Sequence, residues 1–305
     1  MNNKTKQPFP ALRIAMQARR AIPEDIHEID YLSSFIAKGL AEVPQLRENL
    51  VLKGANALRK CYFPMSRRSR DLDYSTLAGL SPAVLSESMQ EACNRINHAL
   101  KQKGAAAVTC STHSFTTPPP VPLLAFDFAC IFPWAKVPTS VAVELSLDEK
   151  VITTPKRRKL IHAFGEPLAG SIMVYSLEEM VAEKLRSLLQ WTRQTVEKGR
   201  TSMPVARTYY DLWWLLTRQD LHPRPCLKGK GFDQLLREKC AVREVSFQNA
   251  DCFFNPALTH LAKINWTSQL AGLVTRLPQV DKALANTQRA IALLLKGSPG
   301  NIEIG

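Results

Sequence analysis

Two aspartates separated by one apolar residue constrain this chain more than any other feature. Asp71 and Asp73 flank Leu72 and close the block LKGANALRKCYFPMSRRSRDLDY, which covers residues 52–74. In a β-strand, residues two apart share one face, with Cα atoms roughly 6.5 Å apart, so both carboxylates would point together while Leu72 points into the core. Such a pair can hold divalent cations for an in-line phosphoryl displacement. The alternative is a solvated turn, which is a frequent setting for an isolated acidic pair.

A small-residue turn precedes the aspartates. It spans Gly54 to Asn56, follows a short apolar run suited to a buried strand, and enters an apolar-patterned helix. The backbone N–H groups of this turn and of the helix N-terminus would bind phosphate oxygens, although Gly54 is also compatible with a plain tight turn. Ser69 either helps to hold a phosphate or caps a turn. Turn, helix and twin-aspartate strand in one block together predict nucleotide chemistry.

A third carboxylate is expected beside the pair, because two divalent cations carry four positive charges and one carboxylate can accept the proton of an attacking hydroxyl. Glu144 lies in the middle of the alternating strand candidate 140–147 and is the first choice. Asp127, in the strand candidate 123–131, is its rival. The alternative for Glu144 is a strand-end glutamate that faces solvent or pairs with an arginine.

Two further candidates lie in the second half of the chain. Lys184 falls on the apolar side of a predicted helix, so it either extends its ammonium to solvent or brings its charge to a triphosphate. Asp211 lies in the helix candidate 209–216, four residues after Arg207, and a local ion pair between these two is the alternative.

The chain carries an excess of positive charge. Forty Lys and Arg residues against twenty-seven Asp and Glu give a net charge of +13. Such an excess concentrates polyanions, which for a nucleotide enzyme favours a nucleic acid as the second substrate over a generally basic surface without a polymer partner. Basic clusters lie in or near predicted loops at 67–70, 156–159 and 228–230. The first borders the carboxylates, so Arg70 and its neighbours would bind a triphosphate or a nucleic-acid backbone.

Composition and cysteine usage indicate the class of protein. The chain is 45% hydrophobic and 22% charged, which is typical of a globular protein. Its seven cysteines are scattered and lack CxxC spacing, which favours buried, reduced thiols over disulfides or a zinc site. There is neither a signal-type apolar region nor a run of about 20 apolar residues. We therefore expect a cytoplasmic protein without a membrane segment.

The distribution of strand and helix patterns predicts two domains. Strand candidates at 106–110, 123–131 and 140–147, with a proline-rich loop at 116–120, alternate with helices at 24–43 and from Ser81-Pro82 to near Gly104. Beyond residue 165 the pattern turns helical, with a capping box at Ser176 and Glu179, further helices at 209–216, 256–276 and 278–296, and a surface loop at 219–235. We predict an α/β domain at 1–165, with an N-terminal helical segment, and a helical domain at 166–305 that closes the active-site cleft.

Four blocks in this order resemble the AbiEii/AbiGii nucleotidyltransferase toxin family of the polymerase-β-like superfamily. They are LKGANALRKCYF, RRSRDLDY, VAVELSLDEKV, and SLEEMVAEKLRSLL followed by RTYYDLWWLL. The first departs from the family pattern, because Ala55 and Asn56 replace its second Gly and its Thr, and in the last Thr208 replaces an Asp. The resemblance implies an α/β (α+β) fold with a nucleotidyltransferase-type mixed sheet flanked by helices and a helical C-terminal domain.

The resemblance also implies a function, namely transfer of a nucleotide from an NTP to an acceptor with Mg²⁺. By position it assigns metal binding to Asp71 and Asp73, phosphate contacts to Gly54 and Ser69, a nucleotide contact to Lys184, a supporting catalytic role to Asp211, and the third carboxylate to Glu144. Some characterised relatives add nucleotides to the 3′ end of tRNA acceptor stems and are neutralised by a cognate antitoxin. A tRNA acceptor and an antitoxin partner are therefore expected here.

We expect the carboxylates to hold Mg²⁺ while an RNA 3′-hydroxyl attacks the α-phosphate of an NTP and releases pyrophosphate. Two alternatives stay open. One is nucleotidylation of a protein hydroxyl, as in AMPylation. The other is a non-catalytic module that binds RNA or an antitoxin.

Overall fold

The computed structural model describes residues 8–77, 79–104, 108–113, 123–218, 227 and 230–296 of the 305-residue chain. The chain divides into two compact units: Met1–Val151 with Pro155–Val174, and Ile152–Thr154 with Tyr175–Gly305. The sequence predicts two domains, 1–165 and 166–305, with separate roles in the enzyme. Compactness alone does not test these roles, so the predicted domain division stays a prediction. The predicted loop at 116–120 and the strand candidate's residues 106–107 lie outside the described residues.

The first unit is an α/β unit around one mixed sheet, as predicted. Its strands are β1 (Leu50–Lys53), β2 (Asp71–Thr76), β3 (Val108–His113), β4 (Leu123–Cys130), β5 (Thr139–Ser146), β6 (Lys156–Lys159) and β7 (Ser171–Val174). They pair in the order β3-β4-β5-β2-β1-β7-β6. β2 runs parallel to β5 and antiparallel to β1, so the twin-aspartate strand lies in the centre of the sheet.

Helices cover one face of this sheet and form the core with it. They are α1 (Pro10–Ala18), α2 (Glu24–Glu42), α3 (Pro44–Asn49), α4 (Gly54–Ala57), which continues as a π-helical turn (Leu58–Tyr62), and α5 (Pro82–Lys101). Leu72, Tyr74, Val143 and Phe126 are each at most 2% exposed on the covered face. Burial of each such side chain contributes about 1.5–3 kcal/mol, which stabilises the strands that carry the acidic residues. Ser81 caps α5 as predicted, since its hydroxyl accepts a hydrogen bond from the Val84 N–H.

The second unit is helical. It contains α6 (Leu177–Lys198), α7 (Val205–Thr217), α8 (Lys230–Ala241), a 3₁₀ turn (Ala250–Phe253), α9 (Pro256–Leu270) and α10 (Val280–Lys296). Ser176 caps α6 by accepting from the Glu179 N–H at 3.1 Å. The reciprocal half of the predicted capping box is wrong, because the buried Glu179 carboxylate accepts from the Ile152 and Thr153 N–H groups instead and contacts Lys239 at 2.9 Å.

Three other sequence predictions need correction. Residues 156–159 form an edge strand, not a loop, and β7 is a strand beyond residue 165, where only helices were predicted. Four consecutive basic residues show no apolar alternation, and an exposed edge strand does not require it. β7 is too short to show a period. Residues 230–235 begin α8 and do not continue the predicted loop.

The described cysteines are free thiols, and four of them are buried: Cys61, Cys93, Cys130 and Cys240. Among the described helices, none combines the length and the apolar character needed to cross a membrane.

Candidate active site

The acidic residues lie on the sheet face opposite the core face. In the β2–β5 pairing, Asp71 is opposite Ala142 and Asp73 is opposite Glu144. Directly opposite residues on neighbouring strands share a face, and so do residues two apart on one strand. The prediction that Asp71 and Asp73 point together is therefore confirmed, and Leu72 is fully buried on the other side.

The register distinguishes the two candidates for the third carboxylate. Glu144 is the immediate neighbour of Asp73 on the adjacent strand, about 4.8 Å away across the sheet. Asp127 lies on the same face but is opposite Ala142, so one whole strand separates it from Asp71. The strand register therefore favours Glu144 over Asp127 as the third carboxylate beside Asp71 and Asp73. Within the described ranges, however, no three His, Cys, Asp or Glu side chains converge on one point as a closed metal site.

Gly54 brings the backbone of the turn against the Asp73 carboxylate. Its φ angle is +70°, a left-handed conformation that favours glycine. A Cβ atom at this position would lie 2.5 Å from Asp73 Oδ2. Two independent features therefore favour glycine at position 54: the positive φ angle and the close approach of the Asp73 carboxylate. The turn that is predicted to bind phosphate is adjacent to the residue that is predicted to bind metal.

Replacing Gly54 with alanine is expected to reduce nucleotide transfer by roughly 100-fold, because a shift of the reacting groups by about 1 Å has an effect of that size. The matched control is Gly165→Ala. Gly165 has a similar φ of +74°, but its added Cβ would meet no described heavy atom within 4 Å. Both variants should lose similar stability in urea denaturation, and only Gly54→Ala should lose activity. Equal activity losses would show that backbone strain, and not the carboxylate contact, is responsible.

Two buried side chains hold Asp71 in place. The Ser69 hydroxyl donates to Asp71 Oδ1 at 2.5 Å, and the Asn56 amide donates to the Asp71 carbonyl oxygen at 2.5 Å. The Asn56 side chain therefore connects α4 to the start of β2, and a phosphate contact from this position would come from its backbone N–H. The role of Ser69 beside a phosphate stays a prediction, but its hydroxyl orients the carboxylate.

Ser69→Ala is expected to lower activity by about tenfold or more, because Asp71 is predicted to bind metal and removing a hydrogen bond to such a carboxylate has effects of this order. Ser66 provides the control, because its buried hydroxyl finds no hydrogen-bond partner among the described residues. Steady-state transfer rates at several Mg²⁺ concentrations should show a raised metal requirement for Ser69→Ala and wild-type behaviour for Ser66→Ala. A Ser69→Ala enzyme with wild-type metal dependence would exclude the orienting role.

The structure buries two of the three arginines in the basic cluster at 67–70, which the sequence predicts to bind a triphosphate or a nucleic-acid backbone. Arg67 and Arg68 are only 7% and 4% exposed. Arg70 is exposed, and it pairs with Asp25 at 3.0 Å on the surface. Burial, followed by the neighbouring charge of Arg59, lowers the pKa of Arg68 to about 10. Of the three arginines, Arg70 is the one whose guanidinium is accessible to a phosphate.

A buried carboxylate that the sequence patterns did not indicate explains this burial. Asp30, on α2, binds Arg59 through Nε and Nη2 at 2.9 and 2.7 Å and Lys60 Nζ at 3.0 Å, and Arg68 Nε lies 3.6 Å away. Burial alone would raise the pKa of Asp30, but the charges of Lys60 and Arg59 outweigh it and hold the pKa well below its usual range. Asp30 thus ties α2 to the helix after Gly54 and to the loop that precedes Ser69.

Lys184 and Asp211 form an ion pair within the second unit. Lys184 Nζ, on α6, lies 2.6 Å from Asp211 Oδ2, on α7. Their side chains are 13% and 3% exposed. The alternative that Lys184 extends its ammonium into solvent is therefore wrong. The structure brings together the two residues that the sequence nominated in this half of the chain.

Comparisons with known proteins identify the family of the chain and proteins of similar fold. The family model described as nucleotidyl transferase AbiEii toxin, type IV TA system, matches residues 38–286. Among solved structures, the chain is similar to MenT4, a nucleotidyltransferase toxin from Mycobacterium tuberculosis H37Rv, with 18% identity and a TM-score of 0.56 over 95% of this chain and 90% of that chain. JHP933 from Helicobacter pylori is similar with 16% identity and a TM-score of 0.48 over 90% of this chain and 94% of that chain. No curated protein matches.

The fold and the family match define a nucleotidyltransferase. The chain belongs to the AbiEii nucleotidyltransferase toxin family, whose members are toxins of type IV toxin–antitoxin systems. Membership implies a nucleotide substrate and an antitoxin partner.

Proposed function

We propose that this toxin transfers a nucleoside monophosphate from an NTP to the 3′ end of an RNA, with tRNA as the acceptor. The reaction would depend on Mg²⁺, take place in the cytoplasm and block translation. One observation carries the proposal: the sheet register places Glu144 directly beside Asp73, on the face that Asp71 shares. Three carboxylates on one sheet face, next to a glycine turn, are suited to phosphoryl transfer.

The donor set fits Mg²⁺, which prefers hard carboxylate oxygens and keeps several waters. Asp71 and Asp73 would hold the ion, with Glu144 as the third ligand. When bound, Mg²⁺ would polarise the phosphoryl oxygens and neutralise charge that develops on them. Ser69, through its hydrogen bond to Asp71, would keep one ligand in the orientation that binding needs.

The residues of the chain would then orient the reactants. Backbone N–H groups from Gly54 to Asn56 would bind the triphosphate, and an ionised carboxylate, for which Glu144 is the candidate, would accept the proton of the RNA 3′-hydroxyl. The 3′-oxygen forms a bond to the α-phosphorus while the bond to the bridging oxygen of pyrophosphate breaks. Lys184 and Asp211 enter the proposal through the family motif, with Asp211 holding the ammonium of Lys184 in place for a nucleotide contact.

The charge of the chain supports a polyanionic acceptor. The net charge is +13, and the edge strand β6 exposes Lys156, Arg157 and Lys159. Cations of this kind bind phosphates without regard to base sequence, which is suitable for a substrate recognised by its backbone.

The test is incubation of the full chain with total tRNA and each α-³²P-labelled NTP in turn, followed by separation of RNA from protein. Label on tRNA with one or more NTPs is expected, and Asp73→Asn should abolish it. Label on protein would instead support the nucleotidylation alternative. No transfer to either polymer, with intact tRNA and Mg²⁺ present, would contradict the proposal.

A further inference from the structure

A buried cation lies in the same row of the sheet as the acidic residues. In the antiparallel β1–β2 pairing, Lys53 is directly opposite Asp73, and Asp73 is in turn opposite Glu144. The three residues therefore form one row, Lys53–Asp73–Glu144, across three adjacent strands on one face. Lys53 is only 8% exposed, in contrast to the usual surface position of lysine.

Burial of an ammonium is costly unless a counter-charge lies close by. Directly opposite residues of an antiparallel pair have Cβ atoms about 4.5–5.5 Å apart, so the long side chain of Lys53 can reach the Asp73 carboxylate. Lys53 also immediately precedes Gly54, the residue whose backbone approaches Asp73 Oδ2. Lys53 thus stands opposite the carboxylate-bearing Asp73 and directly precedes the turn that is proposed to bind phosphate.

We infer that Lys53 is the resident counter-cation of the carboxylate face in the metal-free enzyme, and that it transfers its charge to the triphosphate when a divalent cation takes its place. This inference rests on the proposed function. Without metal, the ammonium balances part of the negative charge of Asp71, Asp73 and Glu144. A divalent cation held by those carboxylates would repel the ammonium, and triphosphate oxygens bound beside Gly54 would offer it another counter-charge. Lys53 therefore couples metal binding to nucleotide binding.

Removal of the positive charge of Lys53 is expected to strengthen the binding of a divalent cation and to weaken the binding of a phosphate anion. Lys53→Gln and Lys53→Met should bind Mn²⁺, in the absence of nucleotide, roughly tenfold more tightly than wild type, because a repelling unit charge a few ångströms from a divalent ion is lost. The same variants should bind inorganic tripolyphosphate more weakly. Lys53→Arg keeps the charge and should stay close to wild type in both measurements.

The experiment uses full-length protein, with free Mn²⁺ measured by electron paramagnetic resonance and tripolyphosphate binding measured by calorimetry. Lys38→Gln is the matched control, because it removes one positive charge from a surface pair with Glu42 on α2. Unchanged or weaker Mn²⁺ binding by Lys53→Gln and Lys53→Met would overturn the inference. If wild type and Asp73→Asn bind Mn²⁺ equally, the proposed metal site fails instead, so the two failures are distinguishable.

A measurement on the wild-type chain does not depend on whether these variants fold. Amine-reactive labelling followed by mass spectrometry reports the accessibility of Lys53. Mn²⁺ alone should increase labelling of Lys53 as the ammonium leaves the carboxylates, and added tripolyphosphate should reduce it again. Labelling that is unaffected by Mn²⁺ would contradict the displacement.

Discussion

Replacing Asp30 with asparagine is expected to lower the free energy of unfolding by about 3–5 kcal/mol, the usual cost of removing one partner from a buried ion pair. The variant would leave Arg59, Lys60 and Arg68 in the interior without their shared carboxylate, and each of these side chains is at most 4% exposed. Urea denaturation followed by circular dichroism at pH 7 measures the change. Asp25→Asn is the control, because it breaks an exposed pair with Arg70 that contributes at most about 1 kcal/mol.

The pH dependence of this difference has a definite sign. The folded-state pKa of Asp30 lies below its unfolded value, because Lys60 and Arg59 outweigh the effect of burial. Its stabilising contribution is therefore fully present above the unfolded pKa of about 4 and is lost only as the pH falls toward the folded value. The stability difference between wild type and Asp30→Asn should be fully present at about pH 6 and should shrink as the pH falls below about 4. A difference that does not shrink in acid would contradict the assignment of an ionised Asp30.

The second large effect concerns acidic residues of the sheet face that carries Asp71. Asp73→Asn is expected to lower kcat/KM for nucleotide transfer by roughly 1,000-fold or more, since Asp73 is proposed to be a metal ligand and the substitution removes its negative charge. Glu144→Gln should cost roughly 100-fold, which is typical when a base that accepts a proton is lost. Asp127→Asn should stay within about threefold, because Ala142 separates Asp127 from Asp71.

Steady-state kinetics on these variants, with urea denaturation as a check on folding, would measure the ranking. All three changes remove one carboxylate charge from the same face, so a general electrostatic effect would affect them alike. A loss with Asp127→Asn that equals the loss with Glu144→Gln would show that the wrong residue has been assigned as the third carboxylate.

Local sequence periodicity was sufficient for part of the site. Alternation along one strand places Asp71 and Asp73 together, and Ser81 before Pro82 marks the start of α5. These features depend on neighbours within a few residues. The capping box predicted from local spacing was wrong for Glu179. Its carboxylate accepts hydrogen bonds from the Ile152 and Thr153 N–H groups and not from the N-terminus of its own helix.

The rest of the site depends on contacts between residues that are distant in sequence. The choice between Glu144 and Asp127 requires the strand order, and the position of Lys53 requires the β1–β2 register. In the sequence, Asp30 is a single acidic residue among the apolar positions of a helix. Its role becomes clear only from its contacts with Arg59 and Lys60 in the structure. A charged residue within a buried helical stripe was the available signal, but its partners are not evident from spacing alone.

The most direct test of the central claim is whether α-³²P-labelled NTP modifies tRNA only when the RNA has a free 3′-hydroxyl. Periodate cleaves the 2′,3′-diol of the terminal ribose to a dialdehyde, which eliminates the 3′-hydroxyl and leaves the internal riboses unchanged. The account predicts that intact tRNA accepts label from α-³²P-NTP but not from γ-³²P-NTP, and that oxidised tRNA accepts none. Equal labelling of intact and oxidised tRNA, or transfer of the γ-phosphate, would contradict nucleotide addition to the RNA 3′ end.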